Sequence, residues 1–150
     1  MKKFNNIGEV KQHYQTLATS ASFKKVAVYM RVESEETLEK EVAEQREALY
    51  TFCARNHLDP VLECGEVCAE SGIYSNLEGF QHLIERTQKD CTWDFILVTD
   101  FARIATDDTE LAKLKGELSE YGVMLLDLNS TAQLKGFLKV ERMIKNRFKI

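Results

Sequence analysis

At 150 residues, 44% hydrophobic and 29% charged, the chain has the size and composition of one globular domain, which excludes a disordered segment and a fold that needs staples. It has one proline, no low-complexity run, no apolar h-region near its start and no stretch of about 20 apolar residues, so a cytoplasmic protein without a membrane span is expected. The net charge of -4 is unevenly spread: residues 26–130 carry 9 basic and 22 acidic side chains (net -13), residues 131–150 carry 6 basic against 1 acidic, and residues 1–25 carry 5 against 1. Only the two ends attract DNA phosphates, so DNA binding by this chain alone is expected to be weak.

Ile7, Val10, Tyr14 and Leu17 recur at helical spacing, which predicts a short amphipathic helix over residues 7–19. The run Lys25-Val-Ala-Val-Tyr-Met-Arg-Val32 is apolar and β-branched, as in a strand buried on both faces of a parallel sheet. Residues 35–56 read as a long helix with Leu38, Val42, Leu49, Phe52 and Cys53 on one stripe. Pro60 marks a turn, residues 61–67 a second strand, and the polar residues 69–76 a loop. A helix over 79–88 turns Phe80, Leu83 and Ile84 inward, and a third strand follows at 93–98. Residues 107–121 form a helix that Gly122 ends as a C-terminal cap, and 123–128 a fourth strand. The last helix, 131–148, has Leu134, Phe137, Leu138, Ile144 and Phe148 as its apolar face.

Strand–helix alternation of this kind specifies an α/β domain: a mostly parallel sheet of four or five strands with helices on both faces. The expected organisation is an N-terminal helical extension (1–22), the α/β domain (23–130) and a basic amphipathic C-terminal helix (131–150), without a separate DNA-binding domain. Function in such sheets sits at the carboxyl ends of the strands, here residues 31–34, 69–76 and 99–106.

Generic motifs are absent: no P-loop, GxGxxG, GxSxG or HExxH. Cys64 and Cys68 are spaced as a metal pair might be, but no second Cys or His pair completes a zinc site, and His13, His57 and His82 are scattered. The cysteines therefore read as small buried hydrophobes, and neither metal nor cofactor is expected.

Four segments carry a resemblance: Tyr29-Met-Arg-Val-Glu33, then Ala43-Glu-Gln45-Arg-Glu-Ala-Leu49, then Glu70-Ser-Gly72 with Glu78-Gly-Phe-Gln-His-Leu83, and finally Asp94-Phe-Ile-Leu-Val-Thr-Asp-Phe-Ala-Arg-Ile104. In order and spacing, over about residues 25–128, they resemble the catalytic domain of the serine recombinases (resolvases, invertases and phage integrases). The resemblance implies a resolvase-like fold, and a chemistry in which a Ser hydroxyl attacks a DNA phosphate clamped by arginines. Position by position, it keeps Arg31 and Arg103. It places Glu33 where the family has its nucleophilic Ser, Leu77 and Thr106 where it has two further arginines, and Ala102 where it has an acidic residue or Ser.

Three readings of function follow. The first is a catalytically inactive recombinase-type domain that acts by associating with itself or with a recombinase-like partner, through residues 131–148. The second is an active DNA-cleaving recombinase with Ser34 as nucleophile. Side chains alternate along a strand, so Glu33 shares the parity of Arg31 and Ser34 does not. If the strand ends at Val32, a loop can swing Ser34 round to the site; the competing reading is an N-cap for the following helix. The third is an unrelated flavodoxin-like binding module that shares only the order of elements. For Arg31 and Arg103 two roles stay open, a residual anion site or an ion network with Glu33, Glu70 or Asp100.

Overall fold

The computed structural model describes residues 13–19, 23–69 and 74–148. Five strands form one sheet: β1 (His13–Thr16), β2 (Lys24–Val32), β3 (Leu58–Val67), β4 (Phe95–Leu97) and β5 (Met124–Leu126), in the order β1-β3-β2-β4-β5. The β3-β2-β4-β5 pairings are all parallel, and β1 joins β3 antiparallel at one edge. The helices are α1 (Leu38–Arg55), α2 (Glu78–Asp90), α3 (Asp108–Ser119) and α4 (Thr131–Phe148).

Seven of the nine residues of β2 are buried, because it lies at the centre of the sheet and is covered on both faces. Ala27 and Tyr29 pack with Phe80, Leu83, Leu114 and Leu118 beneath α2 and α3. Val26, Val28, Met30 and Val32 pack with Leu38, Val42, Leu49, Phe52 and Leu134 beneath α1 and α4. The inward stripe expected for α1 is the buried one, with Gln45 as an additional polar member. Gly122 has φ +75, the left-handed conformation expected of the residue that ends α3.

Two local expectations are corrected. The helix expected over residues 7–19 is not formed in its described part: His13–Thr16 is strand β1, and residues 1–12 lie outside the described residues. Pairing with β3 overrides the local periodicity, and Tyr14 turns to α2, where its ring stacks on His82. Pro60 does not end an element either; β3 runs through it. The pairing with β2 shifts between Val26 and Ala27, opposite Pro60 and Leu62, so the proline sits beside a bulge where a missing N–H is tolerated.

Candidate functional site

β2 ends in Arg31-Val32, then the chain leaves the sheet into a short turn, Glu35–Thr37, ahead of α1. Arg31 is buried. Its guanidinium donates to the Cys68 carbonyl at 3.2 Å, just past the end of β3, and lies 3.7 Å from the Glu33 carboxylate. The Arg31 backbone carbonyl accepts twice, from Gln45 Nε2 at 2.9 Å and from Arg103 Nη1 at 3.1 Å. The two arginines thus meet at the carboxyl edge, where the order of elements places them. Arg103 comes from the turn Phe101–Arg103, whose start is fixed by the Asp100 carboxylate accepting from the Ala102 amide at 2.8 Å.

The neighbouring positions differ sharply in setting. Glu33 is well exposed, with 64% of its side chain open to solvent. Ser34 is extended (φ -149, ψ 147) and its Oγ accepts from the Glu36 amide at 3.0 Å, an N-cap for the turn that follows. Leu77 is 0% exposed and belongs to the apolar core beneath α2. Thr106 is exposed, and its amide and hydroxyl both donate to the Glu110 carboxylate. Of the partners anticipated for the arginines, Glu33 pairs with Arg31, Asp100 caps a turn, and Glu70 lies outside the described residues.

Behind Arg31 lies a buried group that sequence reasoning passed over. Glu66, opposite Arg31 in the β2–β3 register, is 2% exposed. It accepts from Tyr29 Oη at 2.5 Å and from the first amides of α2, Gly79 at 3.0 Å and Phe80 at 2.9 Å. A carboxylate at a helix N-terminus is favoured by the helix dipole and by charge-assisted bonds to otherwise unpaired amides. Burial and the adjacent Glu66 charge hold the Tyr29 hydroxyl in its neutral form, well above its ordinary pKa. The Tyr14 hydroxyl donates to the Gly79 carbonyl on the same turn of α2, and the Arg86 guanidinium lies over the Tyr14 ring. The only trace in the sequence was a carboxylate interrupting an otherwise buried strand, thirteen residues before a Gly-Phe pair.

Among the described residues no group of three or more His, Cys, Asp or Glu side chains is placed to hold a metal ion. Cys53 and Cys64 are buried, and burial pushes the Cys53 thiol up to about 12. A cleft of about 690 Å³ between α1 and α4 includes neither arginine in its wall.

The family model for the resolvase N-terminal domain matches residues 26–144. The chain belongs to the resolvase family. Three solved structures share the fold of this resolvase domain. One is the C-terminal catalytic domain of ISC1926 TnpA, an IS607-like serine recombinase (18% identity, TM-score 0.58, covering 83% of this chain and 82% of that one). Another is a resolvase family site-specific recombinase from Streptococcus pneumoniae (20% identity, TM-score 0.58, covering 84% and 93%). The third is the N-terminal catalytic domain of TP901-1 integrase (24% identity, TM-score 0.59, covering 84% and 96%). No curated protein matches the chain. Family membership accounts for the parallel sheet, and it relates the domain to site-specific recombination. Among the described residues no helix is long and apolar enough to cross a membrane.

Proposed function

We propose that this resolvase domain is catalytically inactive and acts through association, with a second copy of itself or with a recombinase-type partner. The observation that carries the reading is the setting of Glu33. It stands at the nucleophile position of the family pattern and faces Arg31 at 3.7 Å, so a carboxylate lies where a phosphate would approach. Two like charges about 4 Å apart repel by about 1 kcal/mol in water and about 4 kcal/mol at an effective dielectric of 20, and the exposure of Glu33 favours the lower figure. Leu77 adds a second defect: at 0% exposure it is core, and it offers no phosphate a charge-assisted bond worth about 1.5–3 kcal/mol. Thr106 supplies no positive charge either, and its hydroxyl already serves Glu110.

Association rests on α4. Leu134 is buried and Phe137 packs edge-on against Phe95 at 5.7 Å, which holds the first half of the helix to the sheet. Val140, Met143 and Ile144 on the second half are 56%, 61% and 48% exposed, large apolar side chains left open among the described residues. Lys135, Lys139, Arg142, Lys145 and Arg147 accompany them, so the helix suits an apolar seam with an acidic rim, or weak contact with DNA.

The test is covalent trapping on a nicked recombination substrate. The wild-type protein and Glu33→Ser are both expected to give no protein–DNA adduct, because the missing clamps act on the same transition state as the missing nucleophile. An adduct that disappears in Ser34→Ala would overturn the reading and make Ser34 the nucleophile.

A further inference from the structure

We propose that α1 is the receiving surface for α4 of a second copy, with Glu44 and Glu47 of one protomer facing Lys139 and Arg142 of the other. The inference rests on the association reading above and deepens it, because it names the surface that supplies the acidic rim.

Two copies of α4 are poorly suited to each other alone. Each helix carries five basic side chains against one acidic, so a seam of α4 on α4 would be ringed by like charge. The counter-charge lies on α1, where Glu39, Glu44 and Glu47 are exposed. Among the described residues neither Glu44 nor Glu47 takes part in an ion pair, and neither do Lys139 and Arg142. The spacings match: each pair stands three residues apart, one helical turn and a rise of about 4.5 Å. The apolar strips match as well. Glu44 and Glu47 edge the cleft of about 690 Å³ between α1 and α4, whose wall also holds Ala48, Thr51 and Phe52. Exposed Val140 and Met143 neighbour the basic pair on α4. Laid along the cleft, α4 of the second copy sets apolar against apolar and brings opposite charges into register. The cations of the wall do not cancel the acidic pair. Arg55 is eight residues beyond Glu47, about 12 Å along the helix, and Lys135 pairs with neither glutamate. In a dimer with a two-fold axis every such contact is made twice.

The test is a charge exchange read by sedimentation velocity. One variant combines Glu44→Lys with Glu47→Lys; the other combines Lys139→Glu with Arg142→Glu. All four side chains are exposed, so both variants should keep the wild-type fold, which circular dichroism checks. Each alone is expected to dimerise about tenfold or more weakly than wild type, because symmetry turns four attractive pairs into repulsive ones. Mixed one to one, they should form a heterodimer of wild-type affinity: lysines on α1 then meet glutamates on α4, and the second contact keeps its native charges. Packing of α4 on α4 predicts instead that the α1 variant dimerises as wild type, and that result would overturn the proposal. So would a mixture that associates no more tightly than the separate variants. A monomeric wild type would defeat the proposal together with self-association, whereas a wild-type dimer indifferent to Glu44 and Glu47 would defeat this inference alone.

Discussion

Gly79→Ala probes the buried junction behind the arginines. A Cβ at residue 79 would lie 2.7 Å from Glu66 Oε2, 2.9 Å from its Cδ and 3.2 Å from its Cβ. A flexible surface glutamate would step aside, but Glu66 is 2% exposed and receives bonds from Tyr29, Gly79 and Phe80. Any shift that accommodates the methyl group breaks one or two of these, at about 1.5–3 kcal/mol each for bonds to a charged acceptor. The same substitution adds about 1 kcal/mol of helix propensity, because Gly79 lies in the first turn of α2. The losses exceed the gain, and a net destabilisation of about 3 kcal/mol is expected, or roughly 6–12 °C in Tm for a domain of this size. Urea and thermal unfolding of the two proteins measure it directly. In a Glu66→Ala background the methyl group has space, and the added cost should largely vanish. A Gly79→Ala protein as stable as wild type, or an equal cost in both backgrounds, would refute the reasoning.

Other outcomes follow from the same geometry. Ser34→Ala should lower stability by about 0.5–1 kcal/mol, since it deletes only the exposed cap of a short turn, and urea unfolding would show a larger cost if Ser34 did more than cap. Val140→Glu and Ile144→Glu should abolish self-association in sedimentation velocity while leaving Tm within about 1 °C, because both side chains are exposed on α4. Glu141 is held below the usual carboxylate range by its hydrogen bond to Lys24, a contact of 2.7 Å. A lowered folded pKa gives stability that is present above the unfolded value of about 4.3 and lost as pH falls through the folded one. Acid unfolding of Glu141→Gln should therefore show a shallower decline than wild type. Near pH 8, roughly the ordinary thiol pKa, alkylation should spare Cys53 and Cys64, which are buried, and label the partly exposed Cys68 and Cys91, the latter more slowly because burial raises its thiol pKa; mass spectrometry reads the order.

The sequence alone determined the architecture, because the decisive signals are local and periodic. An apolar β-branched run such as Lys25–Val32 can be buried on two faces only at the centre of a parallel sheet, and alternating helical stripes supply the layers that cover it. It also placed Arg31 and Arg103 at one edge, since one lies at the end of a strand and the other just beyond one in a pattern whose order survives, and it offered the capping role of Ser34 as one of two. Tertiary structure decided what depends on partners far apart in the chain. Tyr14 reads as helical by spacing and becomes a strand residue because β3 offers an edge to pair with. Glu66 reads as an ordinary polar interruption until α2 brings two amides to it, from residues 13 and 14 positions further on. Pro60 reads as a stop until β2 supplies a bulge beside it. The interaction of Glu33 with Arg31 is legible as parity along a strand, but only the fold brings Gln45, Arg103 and Cys68 to the same arginine from three separate elements. Periodicity encodes which face a residue presents; what meets that face is set by chain segments whose arrival no local pattern records.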